Sequence, residues 1–197
     1  MTTKFSAVVL AGGRSTRMGS EKALLSVAGR ALWQRQCDVL REAGATEVFL
    51  SARSDQPWAD DPVVVGRFDA IVRDAKPDCG PLAGIVAALE RASCPHLAVL
   101  AIDLPEMEAA WFRHLATVAA GEKGEADVGV VGRRKGYFEP LAALYPKCLY
   151  DAALAALMAG DYSLQRLIAG GVSHGMIREV EIDAAQAGRF ANWNEQR

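Results

Sequence analysis

Short apolar runs alternate with amphipathic segments along most of the chain. The runs at 7–10 and 96–102 are almost free of polar side chains, as expected of buried strands in a sheet. Residues 32–43 instead carry Trp33, Cys37 and Leu40 at helical spacing, with charged residues between them. This alternation of strand and helix predicts a three-layer α/β domain built around a mostly parallel sheet.

The same patterning predicts the remaining elements and their connections. Residues 133–136 predict a basic turn, and the strand after it gives the sheet a small antiparallel part. The polar stretch 54–62 predicts a surface loop. No internal repeat interrupts the sequence, so residues 1–197 are expected to form one domain. Further strands are expected at 47–52, 63–65, 70–72, 128–131, 141–145 and 176–182, and further helices at 82–89, 108–118, 150–157 and 163–169.

The composition excludes several classes of function. Hydrophobic residues make up 51% of the 197-residue chain and charged residues 23%, as in soluble globular proteins. The net charge of −2 excludes a general binder of nucleic acid or of membrane surfaces, because both need a basic footprint. No apolar run approaches the ~20 residues of a membrane span, and the N-terminus lacks the apolar core of a signal peptide.

The cysteines do not predict a metal centre. Cys37, Cys79, Cys94 and Cys148 are far apart in the sequence. They form no C-x-x-C pair and have no histidine at ligand spacing, which excludes zinc and iron–sulfur sites. We therefore expect reduced thiols and a cytoplasmic location.

The most informative stretch is a glycine-rich loop that directly follows the first predicted strand. Its sequence, LAGGRSTRMGSEK, occupies residues 10–22. Gly12 and Gly13 carry no side chains, so their backbone N–H groups can face a ligand directly. Bare amides combined with basic residues are what a triphosphate requires. The candidate ligand contacts of this loop are Leu10, Ala11, Gly12, Gly13, Arg14, Arg17, Gly19 and Lys22.

Two common phosphate-loop signatures do not fit this loop. A Walker A loop needs a lysine directly after its last glycine, whereas Gly19 is followed by Ser20. A dinucleotide-binding G-x-G-x-x-G needs separated glycines, whereas Gly12 and Gly13 are adjacent. The loop instead resembles the nucleotidyltransferase signature L-A-G-G-x-S-x-R-M-G-x-x-K at every specified position. The closest resemblance is to the molybdenum cofactor guanylyltransferase (MobA) family.

The second candidate is an acidic residue at the end of the long apolar run. Asp103 follows residues 96–102 and precedes Leu104 and Pro105. A buried unpaired carboxylate is costly, whereas Mg²⁺ usually takes one or two carboxylates together with substrate phosphates. Aspartate is also a preferred helix N-cap, so a cap for the next helix is the alternative. In the MobA family the matching aspartate of a D-x-P segment binds the metal, and the resemblance implies this role for Asp103.

Residues 74–85 resemble the family segment D-x-x-x-x-x-G-P-L-A-G-[IM]. The resemblance implies that Asp74 lies on the nucleotide side of the site and that Gly80 and Gly84 lie on the pterin side. Pro81 suits the first position of the following helix. From the residues alone, the segment fits equally well a plain helix N-terminus with a small face for close packing.

Later stretches extend the resemblance to residues 8–194. Residues 139–146 resemble the family's x-P-L-x-A-L-Y stretch, where the second half of the substrate would lie. Asn192 and Asn194 match an F-x-N-x-N segment associated with pterin binding. Ser51 departs from the family, which often has an asparagine there. Its hydroxyl can still form a hydrogen bond to the base, but we expect it to recognise the base differently from an asparagine.

The resemblance implies a Rossmann-like nucleotidyltransferase fold of the nucleotide-diphospho-sugar transferase type. The implied reaction transfers GMP from GTP to molybdopterin or its metallated form, giving the guanine dinucleotide cofactor and pyrophosphate. Arg17 and Lys22 would neutralise the triphosphate, and Asp103 would hold Mg²⁺ between the two substrates. Transient contacts with proteins that donate and accept the molybdenum cofactor are implied as well.

Two alternatives stay open. A sister transferase would use CTP on molybdopterin, or a nucleoside triphosphate on another phosphorylated acceptor. The sequence Leu-Ala-Gly-Gly, rather than the Leu-Ala-Ala-Gly typical of cytidylyl enzymes, favours GTP. A nucleotide-binding adaptor without turnover would deliver the cofactor to apo-enzymes. The presence of Lys22 and Asp103 argues against this alternative, because binding alone does not require a carboxylate that holds a metal.

Overall fold

A mixed sheet with helices on both faces makes up the described part of the chain. The computed structural model describes residues 3–13, 21–27, 29–73, 79–121 and 128–192. The strands are β1 (Phe5–Leu10), β2 (Ser26–Val27), β3 (Arg30–Ala31), β4 (Val48–Ala52), β5 (Ala70–Arg73), β6 (His96–Ala101), β7 (Gly129–Arg134), β8 (Tyr137–Phe138), β9 (Ala142–Pro146) and β10 (Ile177–Glu181). The helices are α1 (Leu32–Glu42), α2 (Pro62–Val65), α3 (Pro81–Arg91), α4 (Ala109–Ala119), α5 (Tyr150–Met158) and α6 (Leu164–Ser173). Within these residues, no helix combines the length and apolar character needed to cross a membrane.

The central sheet has the strand order β10-β7-β9-β6-β1-β4-β5, with β8 paired to β7. Strand β1 pairs in parallel with β4 on one side and with β6 on the other, and β4 pairs in parallel with β5. Strand β9 runs antiparallel to both β6 and β7. The predicted fold class, a mostly parallel sheet with a small antiparallel part, is confirmed. The carboxyl ends of β1, β4, β5 and β6 consequently lie along one edge of the sheet.

Alternate residues of the strands point into two separate cores. Val9 of β1 belongs to a core that it shares with Leu40 of α1 and Phe112 of α4. Its neighbour Val8 belongs to a second core with Ile85 of α3, to which α5 and α6 also contribute. Successive strand residues face opposite sides of a sheet, so a strand covered on both faces must be apolar throughout. This explains the uninterrupted apolar runs in β1 and β6.

One predicted element assignment is wrong, and one predicted helix is present but ends later than expected. Residues 63–65 were expected to form a strand, but they lie in α2, where Asp61 Oδ1 accepts a hydrogen bond from the Val63 amide at 2.8 Å. An N-cap followed by proline at the first helical position starts a helix despite the β-branched residues. Helix α6 was expected to end at 169 but continues to Ser173. Gly171 lies inside this helix. At that position the helix packs so closely on Ile177 that there is no room for a Cβ atom.

The basic segment 133–136 is a turn only in its second half. Arg133 and Arg134 belong to β7 and form ion pairs with Glu179 and Glu139 at 3.1 and 3.0 Å. The turn itself consists of the residues with positive φ that connect β7 to β8. The antiparallel strand expected after this turn is present as β9.

Candidate active site

A cleft of about 440 Å³ opens at the carboxyl ends of β1, β4 and β6. Ligands of open α/β sheets bind at this edge, in the crevice outside the strand ends. Most of the predicted site residues that the structure describes come together here. Those that line the cleft are Leu10, Ala11, Gly12, Gly13, Lys22, Ser51, Gly80, Pro81, Gly84 and Asp103.

Five predicted site residues lie outside the described residues. They come from the glycine-rich loop, the segment after β5 and the C-terminal segment. These residues are Arg14, Arg17, Gly19, Asp74 and Asn194.

Asp103 lies directly beyond β6, beside the start of the glycine-rich loop. The Ile102 amide donates a hydrogen bond to the Leu10 carbonyl at 3.0 Å, which fixes the chain of Asp103 next to the end of β1. Helix α4 has Glu108, not Asp103, at its N-cap, so the alternative role of Asp103 as a helix cap is excluded. The position of Asp103 therefore needs an explanation other than helix capping.

The two carboxylate oxygens of Asp103 have different surroundings. Oδ2 accepts a hydrogen bond from Asn192 Nδ2 at 2.9 Å. Oδ1 is buried and has no hydrogen-bond partner among the residues that the structure describes. A buried oxygen without a partner is rare because its desolvation is uncompensated. A bound cation would satisfy Oδ1, and a carboxylate oxygen is a hard ligand of the kind that Mg²⁺ prefers.

The glycine-rich loop enters the cleft directly from β1. The Ala11 amide continues the ladder by donating a hydrogen bond to the Ser51 carbonyl of β4 at 2.8 Å. Beyond residues 14–20, Lys22 begins a short 3-10 turn that returns to the same cleft. Gly12, Gly13 and Lys22 thus line one cleft.

The N-terminus of α3 forms the opposite wall. Pro81 is the first residue of the helix, as predicted, and Gly80 caps it with φ 63°. A positive φ of this size favours glycine, because other side chains would clash with the backbone. Unpaired N–H groups and the helix dipole make such a terminus favourable for anions.

Gly84 lies one turn into α3 and packs directly on the strands below it. A Cβ atom at this position would overlap Ser51 Oγ and approach Leu10 Cδ2 to 3.1 Å. The structure therefore supports the close-packing interpretation of this glycine, although Gly84 also lines the cleft.

Replacing Gly84 with alanine is expected to lower the free energy of unfolding by about 1–3 kcal/mol, because the added methyl must displace Ser51 or shift α3. Thermal and denaturant unfolding measure this change. Gly170→Ala is the matched control, since nothing lies within 4 Å of a Cβ atom there. That variant is expected to be as stable as the wild type or more stable by up to about 1 kcal/mol. Equal stability of both variants would contradict the packing role of Gly84.

The stretch 139–146 supports the floor of the cleft. The Leu141 carbonyl accepts a hydrogen bond from the Ala101 amide at 2.9 Å, and Leu141 itself lines the cleft. Tyr145 is buried and donates its hydroxyl to the Pro140 carbonyl at 2.9 Å. Burial raises the pKa of Tyr145, so it stays a neutral phenol and acts as a structural anchor.

Three residues near the cleft were not singled out from the sequence. Arg53 and Glu21 line the cleft, and Gln56 lies fully buried beneath it. The polar stretch 54–62 was predicted to be a surface loop, which is wrong for Gln56. One signal was available, because Arg53 directly follows β4 at the same sheet edge as the glycine-rich loop.

Comparisons with known proteins show which proteins this chain is similar to. A family model described as a MobA-like NTP transferase domain matches residues 7–177. The chain is 42% identical to a probable molybdenum cofactor guanylyltransferase from Opitutus terrae, over 94% of this chain and 88% of the relative. It is 34% identical to a molybdenum cofactor guanylyltransferase from Xanthomonas euvesicatoria, over 95% of this chain and 88% of the relative.

Solved structures share the fold. The molybdopterin-guanine dinucleotide biosynthesis protein A of Archaeoglobus fulgidus superimposes with a TM-score of 0.72 at 24% identity, covering 97% of this chain and 93% of that one. A nucleotidyl transferase from Methanothermobacter gives a TM-score of 0.72 at 20% identity, covering 97% and 92%. These similarities support the predicted nucleotide-diphospho-sugar transferase type of fold.

Proposed function

The chain belongs to the MobA-like NTP transferase family, and from this premise we propose that it transfers GMP from GTP to molybdopterin. It is a nucleotidyltransferase, and its relatives are named molybdenum cofactor guanylyltransferases. The observation that carries the proposal is that Asp103, Lys22 and residues 10–13 of the glycine-rich loop line one cleft at the sheet edge.

In the proposed reaction, an oxygen of the molybdopterin phosphate attacks the α-phosphorus of GTP. A new P–O bond forms, the bond from the α-phosphorus to the bridging oxygen of the β-phosphate breaks, and pyrophosphate leaves with the electron pair. The protein must hold the two phosphates in line and neutralise the charge that develops. Neither task needs a covalent enzyme intermediate.

We assign the triphosphate to the glycine-rich loop. The amides of Gly12 and Gly13 can donate hydrogen bonds to phosphate oxygens, and Lys22 brings a cation to the same cleft. From the family signature, Arg14, Arg17, Gly19 and Asp74 also belong to the nucleotide side. Ser51, which lines the cleft, is assigned to the base.

We propose Mg²⁺ as the metal and Asp103 as its protein ligand. The buried Oδ1 without a partner among the described residues supports this assignment. Bound there, Mg²⁺ would neutralise phosphate charge and polarise the phosphoryl oxygens. The described residues contain no group of three or more acidic, cysteine or histidine side chains that could hold a metal ion. The other ligands are therefore expected to be substrate phosphates and water.

We assign the pterin to the side of the cleft lined by Gly80 and Gly84. From the family signature, Asn192 and Asn194 are assigned to the pterin as well. Asn192 Nδ2 lies 2.9 Å from Asp103 Oδ2, which supports a location where the two substrates meet. Transient contacts with proteins that donate and accept the molybdenum cofactor are part of the same proposal.

GTP is favoured over CTP as the nucleotide. The relatives are named guanylyltransferases, and the loop has Leu-Ala-Gly-Gly rather than Leu-Ala-Ala-Gly. A binding adaptor without turnover is not favoured, because these relatives are enzymes and the metal carboxylate is present.

Calorimetric titration of the purified protein with GTP, CTP, ATP and UTP in the presence of Mg²⁺ tests the proposal. We expect selective binding of GTP, and release of pyrophosphate once molybdopterin is added. A preference for CTP would contradict the guanylyltransferase assignment. Binding of GTP without release of pyrophosphate in the presence of molybdopterin would instead support an adaptor.

A further inference from the structure

We propose that Arg53, Gln56 and Glu21 form a loop clamp that sets the direction of the phosphate-binding amides in the glycine-rich loop. This inference rests on the proposed function, since it treats the loop as the triphosphate site. It makes Arg53 and Gln56 positioning residues that act on the substrate through the loop. Neither the family signature nor the chemistry of the reaction assigns them a role.

The carbonyls of residues 11–13 are held by side chains of the segment that follows β4. Gln56 Nε2 donates to the Ala11 carbonyl at 3.1 Å. Arg53 Nη1 donates to the Gly12 carbonyl at 2.8 Å and to the Gly13 carbonyl at 3.0 Å. Three consecutive backbone acceptors are therefore bound by two side chains of one neighbouring segment.

Holding a carbonyl fixes the amide that follows it. The C=O and N–H of a trans peptide unit lie in one plane and point in opposite directions, and the structure has no cis peptide bond among its described residues. The contact from Gln56 to the Ala11 carbonyl therefore turns the Gly12 N–H away from Gln56. The contact from Arg53 to the Gly12 carbonyl does the same for the Gly13 N–H. Glycine needs this external restraint most, because its backbone is the least restricted by sterics.

The clamp also holds the far end of the loop. Gln56 Nε2 donates to Glu21 Oε2 at 2.7 Å, and Arg53 Nη2 lies 3.4 Å from Glu21 Oε1. Glu21 directly precedes Lys22, so the same two side chains bind the backbone at one end of the loop and the residue before the lysine at the other. Glu21 thus connects the loop's end to the clamp rather than repelling the triphosphate as an unpaired charge.

The contacts of Arg53 support positioning rather than direct phosphate binding. Each of its guanidinium nitrogens donates to an acceptor of the protein, with Nε bound to Asp55 Oδ1 at 2.8 Å. Its backbone is held as well, since the Arg53 amide donates to Gln56 Oε1 at 2.8 Å. Gln56 is completely buried. Both side chains are therefore fixed by the protein before any ligand arrives, which is the property of a preorganised support.

Replacing Arg53 with methionine tests the clamp, because methionine keeps the apolar stem and removes every donor. Backbone ¹⁵N relaxation is measured for Gly12 and Gly13 in the protein without nucleotide, and GTP affinity is measured by calorimetry. We expect the order parameters of both glycines to fall from about 0.85, typical of rigid backbone, to below about 0.6. GTP binding should weaken by about tenfold or more, as for loss of a charge-assisted hydrogen bond.

Asp55→Asn is the matched control. It removes the charge that pairs with Arg53 Nε, but it leaves the contacts of Arg53 with Gly12 and Gly13 in place. Asp55 is mostly exposed, so the order parameters of both glycines are expected to stay at about 0.85 and the GTP affinity within about twofold of the wild type. Gln56→Met is the second variant and should raise the mobility of Gly12 more than that of Gly13.

The readouts separate the clamp from its alternatives. Weaker GTP binding with unchanged glycine order parameters would overturn the clamp and make Arg53 a direct phosphate ligand. Unchanged GTP binding in both variants would also overturn it. If the wild type binds no GTP, the proposed function fails, while the order parameters still decide whether the clamp exists. Failure of both Arg53→Met and Gln56→Met to fold would overturn the positioning role in favour of a structural one.

Discussion

Replacing Asp103 with asparagine is expected to lower the rate of pyrophosphate release by on the order of 10²–10³-fold. The asparagine oxygen can still accept the hydrogen bond from Asn192 Nδ2, so the local geometry is largely kept. The variant loses the negative charge of the carboxylate, and the proposed Mg²⁺ site needs this charge at the buried Oδ1. Steady-state kinetics with varied Mg²⁺ should show the loss, and calorimetry with Mn²⁺ should show weaker metal binding in the presence of GTP.

Asp151→Asn serves as the control for this experiment. Asp151 is an exposed aspartate in the first turn of α5, and it does not line the cleft. Its replacement should leave the rate and the metal dependence unchanged. A near-normal rate for Asp103→Asn with unchanged metal dependence would rule out Asp103 as the metal ligand.

Replacing Lys22 with methionine is expected to reduce kcat/KM for GTP by on the order of 10²–10³-fold. Methionine has a similar length but no charge, so the variant removes the cation that the loop brings to the cleft. The effect should appear in the affinity for GTP and also in kcat, since negative charge builds up on the leaving pyrophosphate as the reaction proceeds. Calorimetry measures the affinity for GTP, and the rate of pyrophosphate release measures kcat.

Lys4→Met is the matched control for Lys22→Met. Lys4 is exposed and precedes β1, whereas the glycine-rich loop follows the same strand. Lys4→Met changes the net charge by the same amount as Lys22→Met. This control should bind GTP with an affinity within about twofold of the wild type. If both variants lost activity equally, the effect would come from overall charge and the assignment of Lys22 would be wrong.

The parts of the site that could be predicted are those with a local signal. The glycine-rich loop and Asp103 each directly follow an apolar strand, and the rule that ligands bind at strand ends brings them together without knowledge of the pairing. Gly80 and Pro81 are a helix start that depends only on neighbouring residues. Strand order, by contrast, decides which loops meet, and here β1 lies between β4 and β6.

The clamp residues could not be predicted because their contacts depend on that pairing. Gln56 meets Ala11 across 45 positions, and Arg53 meets Gly12 across 41. In sequence, Gln56 is one polar residue in a polar stretch with two prolines, which is typical of a surface loop. Only the parallel register of β1 with β4 brings this stretch beneath the glycine-rich loop. The contact between Asn192 and Asp103 joins residues 89 positions apart, and no local pattern in the sequence signals it.

The hydrogen bond from Asn192 to Asp103 also has a consequence for synthesis of the protein. Translation proceeds from the N-terminus, and the two residues are separated by 89 positions. Strands β1, β4 and β6 and Asp103 itself are all synthesised before Asn192. The amide that holds Asp103 Oδ2 is thus made 89 residues after the carboxylate that it supports, so the carboxylate proposed to bind the metal gains this support later in synthesis than its place beside β1.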